Sequence, residues 1–270
     1  LLGRPIAALS REQAAFGLTT ALAGVRDRPR RLVTSSRSGM REFALRSAGE
    51  QASAVAAAPA LTSQRHGDVG IIGFNNSLGR DDTIAAFSRA LQPLLDTRAL
   101  VIDLRNTPSG GNTTVARGVL GHFVSRERPY QVHVVPGEAR RHGVPRKFVE
   151  YVLPLEPIYR GRVIVLGGRW TGSMGEGMVI GFDAIGAQTA GSPMGHLLGA
   201  MFRETLPESG AIVELGEEQL FHVNGTPREA FVPRLRVEPA EASPQGDPTL
   251  SAALRALGRN SAARPAQKAR

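Results

Sequence analysis

Short apolar runs alternate with stretches of helical spacing over most of the chain. From Val69 the rhythm is strand, helix, strand. "VGIIGF" has the length of a buried strand, and "DDTIAAFSRALQPLLD" has the spacing and acidic first turn of an amphipathic helix. "RALVIDLR" is unbroken and apolar, which predicts a central strand covered on both faces. After a Pro-Ser-Gly-Gly turn, "GNTTVARGVLGHFVS" reads as a second helix. The stretch 126–160, rich in Arg, His and Pro, reads as an irregular insertion at the sheet edge. "RVIVLGG" is the next strand, "SMGEGMVIGFDAIG" a helix ended by Gly186, and "AQTAGSP" leads into a further strand. Short strands and turns follow, until "DPTLSAALRAL" (247–257) forms a closing helix capped by Asp247.

The region before Val69 has a different texture. Residues 1–48 form a unit of their own: "REQAAFGLTTALAG" has helical spacing at Ala14, Leu18 and Leu22, and "RRLVTSSRSGMREFALRS" predicts two strands about a Ser-Arg-Ser-Gly turn. Residues 49–66 are expected to be a linker and 259–270 a disordered tail. The strand-helix alternation of 67–258 means an α/β core with a largely parallel sheet. Ligands in such sheets bind beyond the carboxyl ends of the strands.

Composition narrows the classes. A chain of 270 residues can bury a sizeable core, and its longest apolar runs are too short to span a bilayer. It opens without an initiator Met and shows no signal peptide, as expected of a fragment or processed form. There is no cysteine, which excludes disulfides, thiolate metal sites and a cysteine nucleophile. The net charge of +9 raises nucleic acid as a partner. Against it, the charge is almost all scattered arginine, with Lys147 and Lys268 the only lysines and Trp170 the only tryptophan to stack on bases. His122, His133, His142 and His222 show no paired spacing of metal ligands, and no cofactor is implied.

Two loops carry candidate chemistry. "DLRNTPSGGNT" (103–113) ends a central strand, and Gly110 and Gly111 there allow close approach of the backbone to a ligand. Its N–H groups form either an anion hole or simply a tight turn; no lysine follows the glycines, so a P-loop is excluded. In "RWTGSMGEG", Ser173 sits where a helix begins. It is either a nucleophile favoured by the helix N-terminus or an N-cap, with Glu176 completing a capping box. The spacing is not that of a Gly-x-Ser-x-Gly elbow.

Taken in order, "VGIIGFNNSL", "ALVIDLRNTPSGG", "RVIVLGGRWTGSMGEG" and "VNGTPREAFVP" resemble the tail-specific, or C-terminal-processing, serine protease family, which includes tricorn and the retinoid-binding repeats. The resemblance covers Val69 to Leu257. It implies an α/β, crotonase-like (ClpP-like) mixed sheet core with flanking helices in 67–258, preceded by a partial PDZ-like α+β unit in 1–48. It implies Ser173 as the nucleophile, with the Gly110 and Met174 N–H groups, beside Gly111, as oxyanion donors. Asp103 and Arg105 are expected to fix the loop.

The base is less plain. One branch of the family uses a lysine downstream of the serine, where this chain has Leu198, and neither Lys147 nor Lys268 suits that role. The tricorn-like branch uses a histidine from before the PDZ-like domain, together with a distant glutamate that Glu229 matches. That glutamate would orient the histidine or bind the substrate amine. His196 falls close to the lysine position and is either an imidazole base or a packed side chain; His66 precedes the first core strand. The function implied is a serine peptidase acting on peptides or on C-terminal regions of unfolded proteins, periplasmic or secreted, with self-association left open. The alternative is an inactive domain on the same fold that binds peptides or hydrophobic ligands.

Overall fold

The structure, a computed structural model, describes residues 30–36, 39–45, 59–197, 199–205, 212–237 and 246–259. The helix expected in 11–24 and most of the expected tail lie outside these residues. Strands β1 (Arg30–Ser36) and β2 (Gly39–Leu45) pair antiparallel as a two-stranded sheet.

The principal sheet has six strands in the order β12-β9-β8-β5-β4-β3. They are β3 (Leu61–His66), β4 (Val69–Phe74), β5 (Ala99–Asp103), β8 (Arg162–Gly167), β9 (Gln188–Gly191) and β12 (Leu235–Arg236). Every pairing is parallel except β3 with β4, so the sheet is mixed. Side chains on a strand alternate between faces, and here each face meets its own cover. Ile72, Phe74, Leu100, Ile102 and Val165 pack with Phe87 and Leu91 of helix α1 (Asp82–Leu91), Val115 and Val119 of α2 (Thr113–Leu120), and Met178 of α4 (Met174–Ala184). Ile71, Val101, Ile164 and Leu166 face the other way, onto Ala253 and Leu257 of α5 (Pro248–Arg259). Each such side chain, fully buried, contributes about 1.5–3 kcal/mol relative to exposure. The unbroken apolar sequences of β4, β5 and β8 follow from burial on both faces.

A second, antiparallel sheet has the order β10-β11-β6-β7. It is built from β10 (Ala200–Thr205), β11 (Ile212–Phe221), β6 (Arg128–Val135) and β7 (Arg146–Val152), with the short helix α3 (Pro136–His142) between the last two. The stretch 126–160 is therefore not an irregular insertion but half of this sheet. The expected linker likewise contains β3, whose side chains are almost all exposed and so look like linker sequence. The strand after α4 lies within "AQTAGSP" rather than beyond it.

Helix α4 lies between the two sheets. Residues Met174 to Asp183 are all buried, as expected of a helix that is covered all round. Gly181 faces Tyr130 of β6 so closely that a Cβ there would stand 3.0 Å from the ring. Among the described residues no helix is long and apolar enough to cross a membrane.

Candidate active site

The loops after β5 and β8 run side by side. Thr107 and Thr171 form a parallel bridge, and both of their hydroxyls donate to the Leu104 carbonyl, at 2.7 and 2.9 Å. The Gly172 N–H donates to the Thr107 carbonyl at 3.1 Å. Thr107 crowds the α-carbon of Gly175, and a Cβ on Gly172 would stand 2.7 Å from the Pro108 carbonyl oxygen. Glycine at these positions is a packing requirement.

That packing sets Gly110 directly over the serine. Gly110 has φ +67°, and a Cβ there would lie 2.7 Å from Ser173 Oγ and 2.8 Å from the Met174 nitrogen. The Met174 N–H belongs to the first turn of α4 and has no acceptor within the helix. The Gly110 N–H is turned to the Thr107 carbonyl at 3.3 Å, a long bond. Gly111 is pressed against the backbone of Leu78. Of the three expected oxyanion residues, Gly110 and Met174 adjoin Ser173, while Gly111 packs on Leu78.

Ser173 has φ 51° and ψ −117°, a conformation that costs a non-glycine residue about 1–3 kcal/mol. Among the described residues, positive φ outside glycine occurs only at Asn76, Ser173 and His196. All three meet in this region. Asn76, which the sequence reading did not single out, accepts the Ser109 N–H at 3.0 Å and donates its amide to Ser109 Oγ at 3.0 Å, holding the Gly110 loop. Strain concentrated in this way persists only where the surroundings enforce it.

A buried carboxylate joins the serine turn to the histidine segment. Glu176 is inaccessible to solvent; one of its oxygens accepts the Ser173 N–H at 2.9 Å, and both stand 3.3 Å from the Leu197 N–H. Burial pushes its carboxyl up to about 7, opposed by the Arg228 guanidinium and by the backbone N–H groups it accepts. Arg228 Nε stands 4.0 Å from Glu176 Oε2, and its terminal nitrogen donates to the carbonyls of Leu197 and Gly199 at 2.9 and 2.8 Å. The Gly195 N–H donates to the Thr171 carbonyl at 2.8 Å. Residues 195–197 are thus strapped along the turn that carries Ser173.

His196, held at φ 55°, lies in that strap, and its Nδ1 is bonded to the Glu229 backbone carbonyl. A carbonyl only accepts, so Nδ1 carries a proton, and in the neutral imidazole the lone pair is on Nε2. Glu229 reaches His196 through its backbone oxygen. Arg105 forks onto Asp103 and onto Asp247, which caps α5, fastening the loop to the far helix.

The other titratable candidates lie elsewhere. His66 pairs with Val69 at the amino end of β4, the opposite end of the sheet. His133 is bonded to Glu218, His222 adjoins Asp183, and His122 bonds the Pro157 carbonyl. Lys147 belongs to β7, and Lys268 lies outside the described residues. Among the described residues no cluster could hold a metal ion.

No family model matches the chain, and no curated protein matches it in sequence. Solved structures do share its fold. A protein of Parabacteroides merdae described as a peptidase matches with a TM-score of 0.62 and 16% identity over 80% of this chain and 71% of that one. The photosystem II D1 C-terminal processing protease matches at 0.59 and 16% identity, over 82% of this chain and 56% of its own length. A Bacteroides fragilis protein described as an S41 protease matches at 0.52 and 16% identity, over 76% of this chain and 58% of that one. At these identities the likeness is one of fold: an α/β core with a mixed sheet and flanking helices, shared with S41 peptidases.

Proposed function

We propose that the chain is a serine peptidase of the tail-specific type. Ser173 Oγ attacks the scissile carbonyl of a peptide or unfolded protein, and His196 Nε2 takes the hydroxyl proton. The Glu229 carbonyl keeps the imidazole in the tautomer this requires. The Met174 and Gly110 N–H groups receive the oxyanion, Gly110 giving up its long bond to Thr107 as negative charge develops nearby. One such donor contributes about 10²–10³-fold to the rate, and a positioned base about 10²–10⁴-fold. Residues 1–48, read as a PDZ-like unit, would present the substrate's C-terminus.

One observation carries the reading: Gly110 is packed onto a strained Ser173 and the Met174 nitrogen, at the carboxyl ends of two parallel strands. A fluorophosphonate probe on the full chain tests it. Wild type is expected to label and Ser173→Ala not to. Equal labelling of the two sinks the nucleophile assignment.

A second reading, a binding domain without catalysis, is favoured by Leu198 where the family's lysine branch carries its base. It predicts that unfolded peptides bind and stay uncut, and that neither wild type nor Ser173→Ala labels.

A further inference from the structure

We infer that Arg228 is a positioning residue of the serine site. Its guanidinium, bonded to the Leu197 and Gly199 carbonyls and facing the Glu176 carboxylate, holds the His196 segment against the Ser173 turn. The inference rests on the serine peptidase reading.

Arg228 is 2% exposed and heads the fully buried side chains by volume. A guanidinium is removed from water only at high cost, recovered where an anion and acceptors surround it. Here both side-chain hydrogen bonds of Arg228 go to one short segment. Its Nε has no hydrogen-bond partner and stands 4.0 Å from Glu176 Oε2.

Leu197 is therefore gripped at both polar groups of its backbone, the N–H by Glu176 and the carbonyl by Arg228. The residue before it, His196, is in a left-handed conformation that the segment must enforce. The residue after Arg228, Glu229, supplies the carbonyl that binds His196 Nδ1. One turn, Arg228–Ala230, thus holds the backbone beyond His196 with a charge and the imidazole itself with a carbonyl. The charged groups facing Arg228 are Glu176 from α4, Glu229 from its own turn and Glu218 from β11, and Glu218 is bonded to His133.

If Arg228 acts through Glu176, its charge governs the pH at which Glu176 ionises to accept the Ser173 and Leu197 N–H groups. The test follows the rate of fluorophosphonate labelling against pH in the full chain, with circular dichroism as the check of folding. Arg228→Met is expected to label at least ten-fold more slowly, with the acid limb of the profile moved to higher pH. In a Glu176→Gln background the same change should not move the acid limb. Arg228→Lys keeps the charge, but its shorter side chain ends short of the Arg228 nitrogen that makes both bonds, so the limb should stay in place while the rate falls.

A merely structural arginine would lower the unfolding midpoint without moving the limb. A folded Arg228→Met with the wild-type profile overturns the inference. Should Arg228→Met fail to fold, an Arg228→Lys rate equal to wild type overturns it instead. Absence of Ser173-dependent labelling in wild type removes the serine reading, and the inference with it.

Discussion

Replacing Gly110 by alanine separates packing on the serine from backbone conformation. The chain supplies its own control, since Gly143 has φ +68° against +67° at Gly110, and a Cβ there would have no atom within 4 Å. Gly143→Ala therefore pays only the left-handed penalty, about 1–2 kcal/mol. Gly110→Ala pays that and more. Its methyl group would lie 2.7 Å from Ser173 Oγ and 2.8 Å from the Met174 nitrogen, which is backbone and cannot swing aside. Overpacking of this kind adds about 1–3 kcal/mol, for a total of roughly 2–5 kcal/mol. The loop or the helix start must move instead, and a displacement of about 1 Å between reacting groups costs on the order of 100-fold in rate. Urea unfolding of the two variants gives the difference in stability, and fluorophosphonate labelling gives the rate. A Gly110→Ala variant within about 0.5 kcal/mol of Gly143→Ala, labelling at the wild-type rate, would show that the loop is not seated on Ser173.

Three further outcomes are expected. Burial raises the Glu176 carboxyl from 4.5 to about 7, so the folded chain binds a proton between those values that the unfolded chain does not. This contribution is full below pH 4.5 and lost as pH rises through 7, a fall of about 3 kcal/mol at ~1.4 kcal/mol per unit. The difference in urea stability between wild type and Glu176→Gln should trace that fall, and a difference constant from pH 4 to 8 would refute it. His196→Asn, which tolerates the left-handed conformation, should slow labelling by about 10²–10⁴-fold with little change in the unfolding midpoint; undiminished labelling means that another group is the base. Asp247→Ala removes both the α5 cap and an Arg105 partner, and should cost about 1–2 kcal/mol with faster amide exchange in the first turn of α5. Unaltered exchange there would show that the cap does not hold the helix.

The central strands were legible because β4, β5 and β8 are buried on both faces and so carry unbroken apolar sequence. The cap of α5 was legible because an aspartate before a helix has few other uses. β6 escaped because its pattern is mixed: beside Tyr130 the polar Gln131 and His133 are buried, at 1% and 3% exposure, while Val132 and Val134 are half-buried. A His133–Glu218 bond and a His133 ring stacked on Phe148 at 4.5 Å make that polarity tolerable, and both partners are distant in sequence. In the site, glycine and serine types marked the two loops. The conformations of Asn76, Ser173 and His196 left no mark, because strain belongs to the assembled neighbourhood. Arg228 read as one more arginine in an arginine-rich chain, since its burial depends on an anion more than fifty positions away.

The region around Ser173 draws on the connections β5–α2, β8–α4, β9–β10 and β11–β12, in that order along the chain. On the proposed reading, this order protects the protein from itself. A peptidase of unfolded polypeptides is, while being synthesised, an unfolded polypeptide beside its own sisters. The serine and its glycine loop emerge before the turn that orients the imidazole and fastens its segment. On that reading, the imidazole is unoriented until the turn docks, and a chain interrupted before it is expected to be inert.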